Sequence, residues 1–325
     1  MTQPEDHLSP GQTAGKDERW ATSLIERLVF AALIEQRRAR RWGIFFKILF
    51  LLVLLVFLLP VDWGGDTVMG RRHTALVRVD GLIAASTDTN AERFSAGLRA
   101  AFEENNAAGV ILYINSPGGS PVQAGEMYDE IRRLRQAYPS KPVYAVAADF
   151  CASGGYYVAA AAQQIYANRA SIIGSIGVRG GGFGFVEALR KLGIERRLYT
   201  AGDNKGFLDP FEPSRPEDVR HLQKMLDRIQ QQFITAVRDG RSGRLRETPD
   251  LFSGLVWTGE QSVELGLIDG LADARYVAKV LVGAETIVDY TRRPKISERL
   301  FSSIESALAS ALASLLRWNA ATLPP

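Results

Sequence analysis

The chain has 325 residues, enough for one large domain or two small ones, and its 46% hydrophobic content excludes a disordered chain. Its 39 basic and 36 acidic residues leave a formal net charge of +3, so no general affinity for polyanions follows and nucleic acid is not an expected partner. A single cysteine, Cys151, excludes an internal disulfide, and three histidines, His7, His73 and His221, are poor raw material for a Ser-His-Asp triad.

Residues 1–16 are polar and without periodicity, as in a disordered tail. From Arg19, the residues Trp20, Leu24, Leu28, Phe30, Ala31 and Ile34 recur near helical spacing. The pattern suits either a solvated lead-in helix or one that lies on a membrane face or pairs with its own copy.

Trp42 to Val61 reads as a transmembrane anchor. About 20 apolar residues match a hydrocarbon core of about 30 Å, and the one charge, Lys47, is near enough to the end to snorkel. A cleaved signal peptide has a shorter apolar core and a small-residue cleavage site, neither of which is present. Arg37, Arg38, Arg40 and Arg41 crowd the N-terminal flank, whereas Asp62 and Asp66 follow the segment. The N-terminus is therefore expected in the cytoplasm and the rest of the chain outside it, in a bacterial inner membrane.

After a linker over residues 62–74, strands and helices alternate. Strands are expected at Leu76–Ile83, Val110–Ile114, Pro142–Ala148, Ile165–Ala167 and Ile172–Val178. Helices are expected at Ala91–Asn105, Ala124–Ala137 and from Ala152 to Ala162. Near-continuous apolar strands with short connections to helices mean an α/β fold with a largely parallel, covered sheet. Beyond it come a helix at Phe185–Leu192, an extended stretch at Glu195–Tyr199 and a long helix at Glu217–Arg238. A short helix at Gly259–Leu265 is capped by Thr258. His221 falls in the long helix, in a surface or packing role. Residues 296–316 carry Leu300, Ile304, Leu308, Leu312 and Leu315 on one stripe, too polar to span a bilayer and suited to packing on this or a neighbouring subunit. The division expected is a tail over 1–41, the anchor over 42–61, the linker, a catalytic domain over 75–285 and a C-terminal segment over 286–325.

Three small-residue stretches follow strand ends. In Asn115-Ser116-Pro117-Gly118-Gly119 the glycines let the backbone turn an N–H toward a bound carbonyl, although an ordinary Pro-Gly turn has the same composition. In Ala152-Ser153-Gly154-Gly155 one hydroxyl stands at a helix start, as a nucleophile would. In Gly174-Ser175-Ile176-Gly177, Ser175 is placed to hydrogen-bond a catalytic neighbour or simply to end a strand. Cys151, beside Ser153 but without a neighbouring histidine, reads as a small packing residue.

A serine nucleophile needs a base, and the histidines are badly placed for it. Lys205, in Gly202-Asp203-Asn204-Lys205-Gly206-Phe207-Leu208-Asp209-Pro210, is the candidate. A free lysine is neutral in only about one molecule in a few thousand at pH 7, so the role demands desolvation. A solvated loop lysine is the competing reading.

These motifs, together with Trp257-Thr258-Gly259-Glu260 and Gly266-Leu267-Ile268-Asp269, resemble in order and spacing the signal peptide peptidase A family. Its members are bacterial membrane-anchored serine peptidases related in fold to the Clp protease subunit. The resemblance covers roughly residues 75 to 280, and four ordered motifs are far more specific than one. It implies a Clp protease/crotonase-like domain of repeated ββα units behind a single transmembrane helix. It also implies Ser153 as nucleophile, Lys205 as general base, Ser175 orienting the lysine, and the N–H groups of Gly118 and Gly154 as oxyanion hole. No cofactor or metal is implied. The implied substrates are cleaved signal peptides and other membrane-derived segments, and the implied assembly is a homo-oligomeric ring. Two other readings are a crotonase-like acyl-thioester enzyme, disfavoured by Ser153, Lys205 and the anchor, and a non-catalytic membrane scaffold, disfavoured because Ser153 and Lys205 are both present.

Overall fold

A computed structural model describes residues 35–38, 40–54 and 70–293. Residues 40–54 are helical and expose their apolar side chains, with Trp42 stacked on Phe46 at 5.7 Å between ring centroids. Among the described residues no helix is long and apolar enough to cross a membrane. The last part of the expected anchor, residues 55–61, lies outside the described residues, as do the expected helix over 19–34, except for its flank, and the stripe over 296–316.

The larger unit is organised on an eight-stranded sheet in the order β6-β5-β3-β2-β1-β8, with β4 pairing β3 and β7 pairing β4. The strands are β1 (His73–Ile83), β2 (Ala107–Gly119), β3 (Val143–Ala152), β4 (Gln164–Ala167), β5 (Ile172–Gly174), β6 (Val256–Thr258), β7 (Gly270–Leu271) and β8 (Ile287–Asp289). All pairings are parallel except β5 with β6. The helices are α1 (Ala91–Glu103), α2 (Pro121–Ala137), α3 (Gly154–Ala159), α4 (Val186–Leu192), α5 (Pro216–Arg241), α6 (Gly259–Glu264) and α7 (Ala274–Tyr276), the last running into a π-helical turn, Val277–Val282.

The alternation of strand and helix has the expected cause. A parallel sheet is covered on both faces, so its strands are apolar on both sides. Val110, Ile111, Leu112 and Ile114 of β2 are all fully buried. One face packs under α1, α2 and α3, burying Phe94, Leu98, Met127, Ile131 and Tyr156. The other carries a smaller cluster of Leu76, Ile111 and Val146 under Val277 and Ala278. Each large side chain so buried contributes about 1.5–3 kcal/mol. Helix α1 begins at Asn90, whose side chain accepts the N–H of Arg93, and α6 begins at Thr258 in a reciprocal capping box with Gln261.

Several boundaries differ from expectation. β2 does not stop at Ile114 but runs through the glycine motif to Gly119. β5 ends at Gly174 rather than Val178, because Ser175 turns to φ 51°. Helix α3 closes after Ala159, where Ala161 and Ala162 donate to Val158 and Ala159 in the tighter i to i−3 pattern. Glu195–Tyr199 is exposed and forms no strand. Helix α5 matches its expected span, but its apolar stripe is deeply buried only toward the C-terminus, at Phe233 and Val237, and Val219 remains exposed.

Candidate active site

β3 is shared between two partners. Tyr144–Ala147 pairs with β4 and Phe150–Ala152 pairs with β5, so the strand changes neighbour just before Ser153. Ser153 then adopts φ 51° and ψ −125°, which for a non-glycine residue costs about 1–3 kcal/mol. It is held there on both sides. Its N–H donates to Gly174 O at 2.8 Å, and its own carbonyl accepts from Tyr157 N–H at 2.9 Å. Behind it Tyr156 is fully buried and donates its hydroxyl to Leu267 O at 2.6 Å, anchoring α3. Ser153 itself is only half-buried.

The glycine motif meets this turn directly. Gly118 has φ 102°, and a Cβ added to it would stand 2.6 Å from Ser153 Cβ and 2.7 Å from Gly154 N, so only glycine allows the approach. The β5 end completes the group, since Ala152 pairs with Gly174 and Ser175 N–H donates to Leu255 O at 2.7 Å. Gly118, Ser153, Gly154 and Ser175 therefore line one cavity of about 1090 Å³. Its walls include Leu82, Val122, Tyr157, Ile229 and Phe233, with Tyr157 stacked on Phe233 at 4.8 Å. Glu126 and Asp129, on one side of α2, and Arg179 face the same space.

Lys205 does not line this cavity. It sits on an exposed turn, its N–H donating to Gly202 O at 3.1 Å. The surrounding stretch from Arg179 to Phe211 exposes Phe183, Leu192, Ile194 and Tyr199; within it Phe185 stacks on Phe211 and Arg196 binds Asp209. His221 lies edge-on to Phe207, in keeping with a surface packing role. Cys151 is fully buried and burial pushes its thiol pKa far up, so it is a packing residue and not a nucleophile.

Two residues of the motif do more than their sequence suggested. Asn115 Oδ1 accepts from Phe150 N–H at 3.1 Å, across a register irregularity between β2 and β3. Ser116 Oγ donates to Gly81 O at 2.6 Å and accepts from Gly118 N–H at 3.1 Å. The signal was two adjacent polar side chains at the end of an apolar strand, where backbone groups lose their ladder partners. Gly118 N–H, expected to serve the oxyanion, is thus committed to Ser116. Among the described residues no three His, Cys, Asp or Glu side chains gather as a metal site.

Two family models match the chain. Peptidase family S49 covers residues 135–286, taking in Ser153, Ser175 and Lys205, and Clp protease covers residues 77–174, taking in Gly118 and Ser153. A protein of Synechocystis, provisionally named a protease, is 32% identical over 220 residues, 66% of this chain and 76% of that protein. The chloroplastic serine protease SPPA of Arabidopsis thaliana is 32% identical over 229 residues, 67% of this chain and 33% of that protein. A Brucella abortus protein bearing the name Na(+)/H(+) antiporter NhaA is 49% identical over 178 residues, 55% of this chain and 24% of that protein. The chain spans about a quarter of that relative's length.

Proposed function

The chain belongs to peptidase family S49, the signal peptide peptidase A family, and we propose that within it this protein is a membrane-anchored serine endopeptidase with a Ser153–Lys205 dyad. The observation that carries the reading is the strained Ser153, raised at the mouth of a cavity and pressed against the Gly118 turn. Strain of this kind persists only where surrounding structure enforces it, and it concentrates at active sites.

In the reaction Ser153 Oγ adds to the peptide carbonyl while its proton passes to neutral Lys205. Backbone N–H groups of the Gly118–Gly119 turn and of Gly154 receive the oxyanion. The leaving amine takes the proton back, and a water activated by Lys205 hydrolyses the acyl-enzyme. Ser175, in the same cavity, orients the lysine.

Lys205 reaches Ser153 in the assembled ring, from the neighbouring copy. In a single chain it stands outside the cavity, on a segment whose exposed Phe183, Leu192 and Tyr199 call for a covering surface. Covering that segment also removes water from the lysine, as a lysine base requires.

The substrates are cleaved signal peptides. Apolar walls suit their central stretch, and Glu126 and Asp129 suit the basic end that accompanies it. The Trp42–Val61 segment keeps the catalytic domain at the outer face of the bacterial inner membrane, where such peptides collect.

An active-site serine probe tests the nucleophile. Wild type is expected to be labelled and Ser153→Ala not, with both equally folded. Equal labelling of the two proteins overturns the assignment.

A further inference from the structure

Ser153 follows a strand that carries two extra residues. Between Ile114, aligned with Ala147, and Ser116, aligned with Cys151, β2 advances by two residues and β3 by four. β3 changes neighbour at the same place, pairing with β4 as far as Ala147 and with β5 from Phe150. Among the described residues, Ala148 and Asp149 thus have no strand partner on either side. A bulge of this kind bends its strand and re-aims the side chains beyond it.

Two side chains hold the bulge from opposite sides. Asn115 is the one residue of β2 between the two registers. Its Oδ1 accepts Phe150 N–H at 3.1 Å and its Nδ2 donates to Asp149 Oδ2 at 3.4 Å, while its backbone is still aligned with Asp80 of β1. From the other side the buried Ser171 donates its Oγ to Ala148 O at 2.5 Å and accepts Asn168 N–H at 3.1 Å. These contacts replace the ladder bonds that the bulge interrupts.

The length of the bulge decides where Ser153 falls. Phe150, Cys151 and Ala152 align with Ile172, Ile173 and Gly174, and Ser153 N–H then donates to Gly174 O. A slip of one residue reverses the faces of a strand, which would turn the fully buried Cys151 out of the core and carry Ser153 off its strained turn. Asn115 acts on this register away from the substrate. It lines a separate cavity of about 870 Å³, with Tyr113, Asp149 and Phe150, and not the cavity of Ser153.

Resting on the assignment of Ser153 as nucleophile, we infer that Asn115 is a positioning residue. By accepting Phe150 N–H it fixes the bulge and so the reactive geometry of Ser153, with no part in binding the peptide.

The test uses the full-length protein in detergent, with a time course of labelling by an active-site serine probe and with cleavage of an apolar fluorogenic peptide. Wild type is compared with Asn115→Leu, with Ser153→Ala and with the exchange Asn115→Asp plus Asp149→Asn, which keeps an acceptor at 115 and a donor at 149. A displacement near 1 Å costs about 10²-fold, so the labelling rate constant and kcat are each expected to fall roughly 10- to 100-fold in Asn115→Leu, with KM as in wild type. The exchange should recover most of both. Where the leucine variant does not fold, Asn115→Gln, whose carbonyl stands one methylene further out, is read in the same way. A loss of stability alone would lower the labelled fraction at the end point and leave the rate constant unchanged, and that result overturns the inference. So does an exchange variant as slow as Asn115→Leu, or a raised KM with wild-type kcat. Labelling of Ser153→Ala at the wild-type rate would instead overturn the reading of the nucleophile, so the two failures are distinguishable.

Discussion

Gly118 approaches Ser153 so closely that the single methyl of alanine would lie 2.6 Å from the serine Cβ. Gly118→Ala must therefore push the nucleophile turn aside and also hold a non-glycine residue at φ 102°, a strain of about 1–3 kcal/mol. A displacement near 1 Å at a reacting centre costs about 10²-fold in rate. Serine-probe labelling should slow by at least about that factor, with a lower melting temperature. Labelling at the wild-type rate would show that the approach has no bearing on reactivity.

The exposed position of Lys205 leads to a mixing experiment. Ser153→Ala and Lys205→Ala are each expected to be inactive alone. Co-assembled, they should regain part of the wild-type activity, because an intact Ser153 in one copy can meet an intact Lys205 from the next. No recovery in verified mixed assemblies would place the dyad within one chain. Tyr199→Asp should make activity fall on dilution by weakening the same contact.

Glu126 and Asp129 set an electrostatic preference. Changing both to lysine should raise KM for apolar peptides with a basic end and leave KM for uncharged peptides nearly unchanged. The difference should shrink in high salt, since the Debye length falls from about 10 Å at 0.1 M to about 3 Å at 1 M. A salt-independent effect would point to shape and not charge.

Asp269 is a stability element distant in role from catalysis. It accepts from Arg241 at 2.6 Å, Arg244 at 2.9 Å and Ile165 N–H at 2.7 Å, and Arg241 is itself fully buried. Burial pushes the carboxyl pKa up, but these partners outweigh it and leave it below the usual value. A lowered folded pKa means that ionised Asp269 favours the fold. Its contribution is complete above the unfolded value near ~3.9 and fades as pH falls through the lower folded value. Asp269→Asn should cost about 3–5 kcal/mol at pH 7 by leaving buried charge unpaired. In denaturant titrations the gap between variant and wild type should narrow below about pH 4. A gap independent of pH would rule out the charge as its source.

The fold class was legible because its signals are local. Parallel strands buried on both faces read as apolar runs, and helix α6 announces itself by Thr258. The residues gathered in the cavity were legible from motif order, since Gly118, Ser153, Gly154 and Ser175 each stand within two residues of the end of a strand of one sheet. What escaped was direction. The Ser116 hydroxyl bridges two strands 35 residues apart in sequence by donating to Gly81 O, and no local pattern encodes it. The position of Lys205 escaped for a related reason, as no apolar periodicity fixes an exposed turn.

The pairing of β1 with β8 also governs how the described fold tolerates change at its ends. Thr74 aligns with Ile287, Thr74 Oγ1 donates to Ala284 O at 2.6 Å, and His73 Nε2 and Tyr290 OH are 3.0 Å apart. The polypeptide thus enters and leaves this unit along one sheet edge, and because the two strands are parallel Asp289 stands beside Leu76, three residues or about 10 Å along the strand from His73. A short linker could close residues 73–290 into a ring of chain, and new ends could be opened at the exposed turn around Gly243 without disturbing β2, β3 or β5. Topologically the unit is an excursion that returns to its starting point, so either flank can be lengthened, shortened or exchanged while the register that sets Ser153 stays as it is.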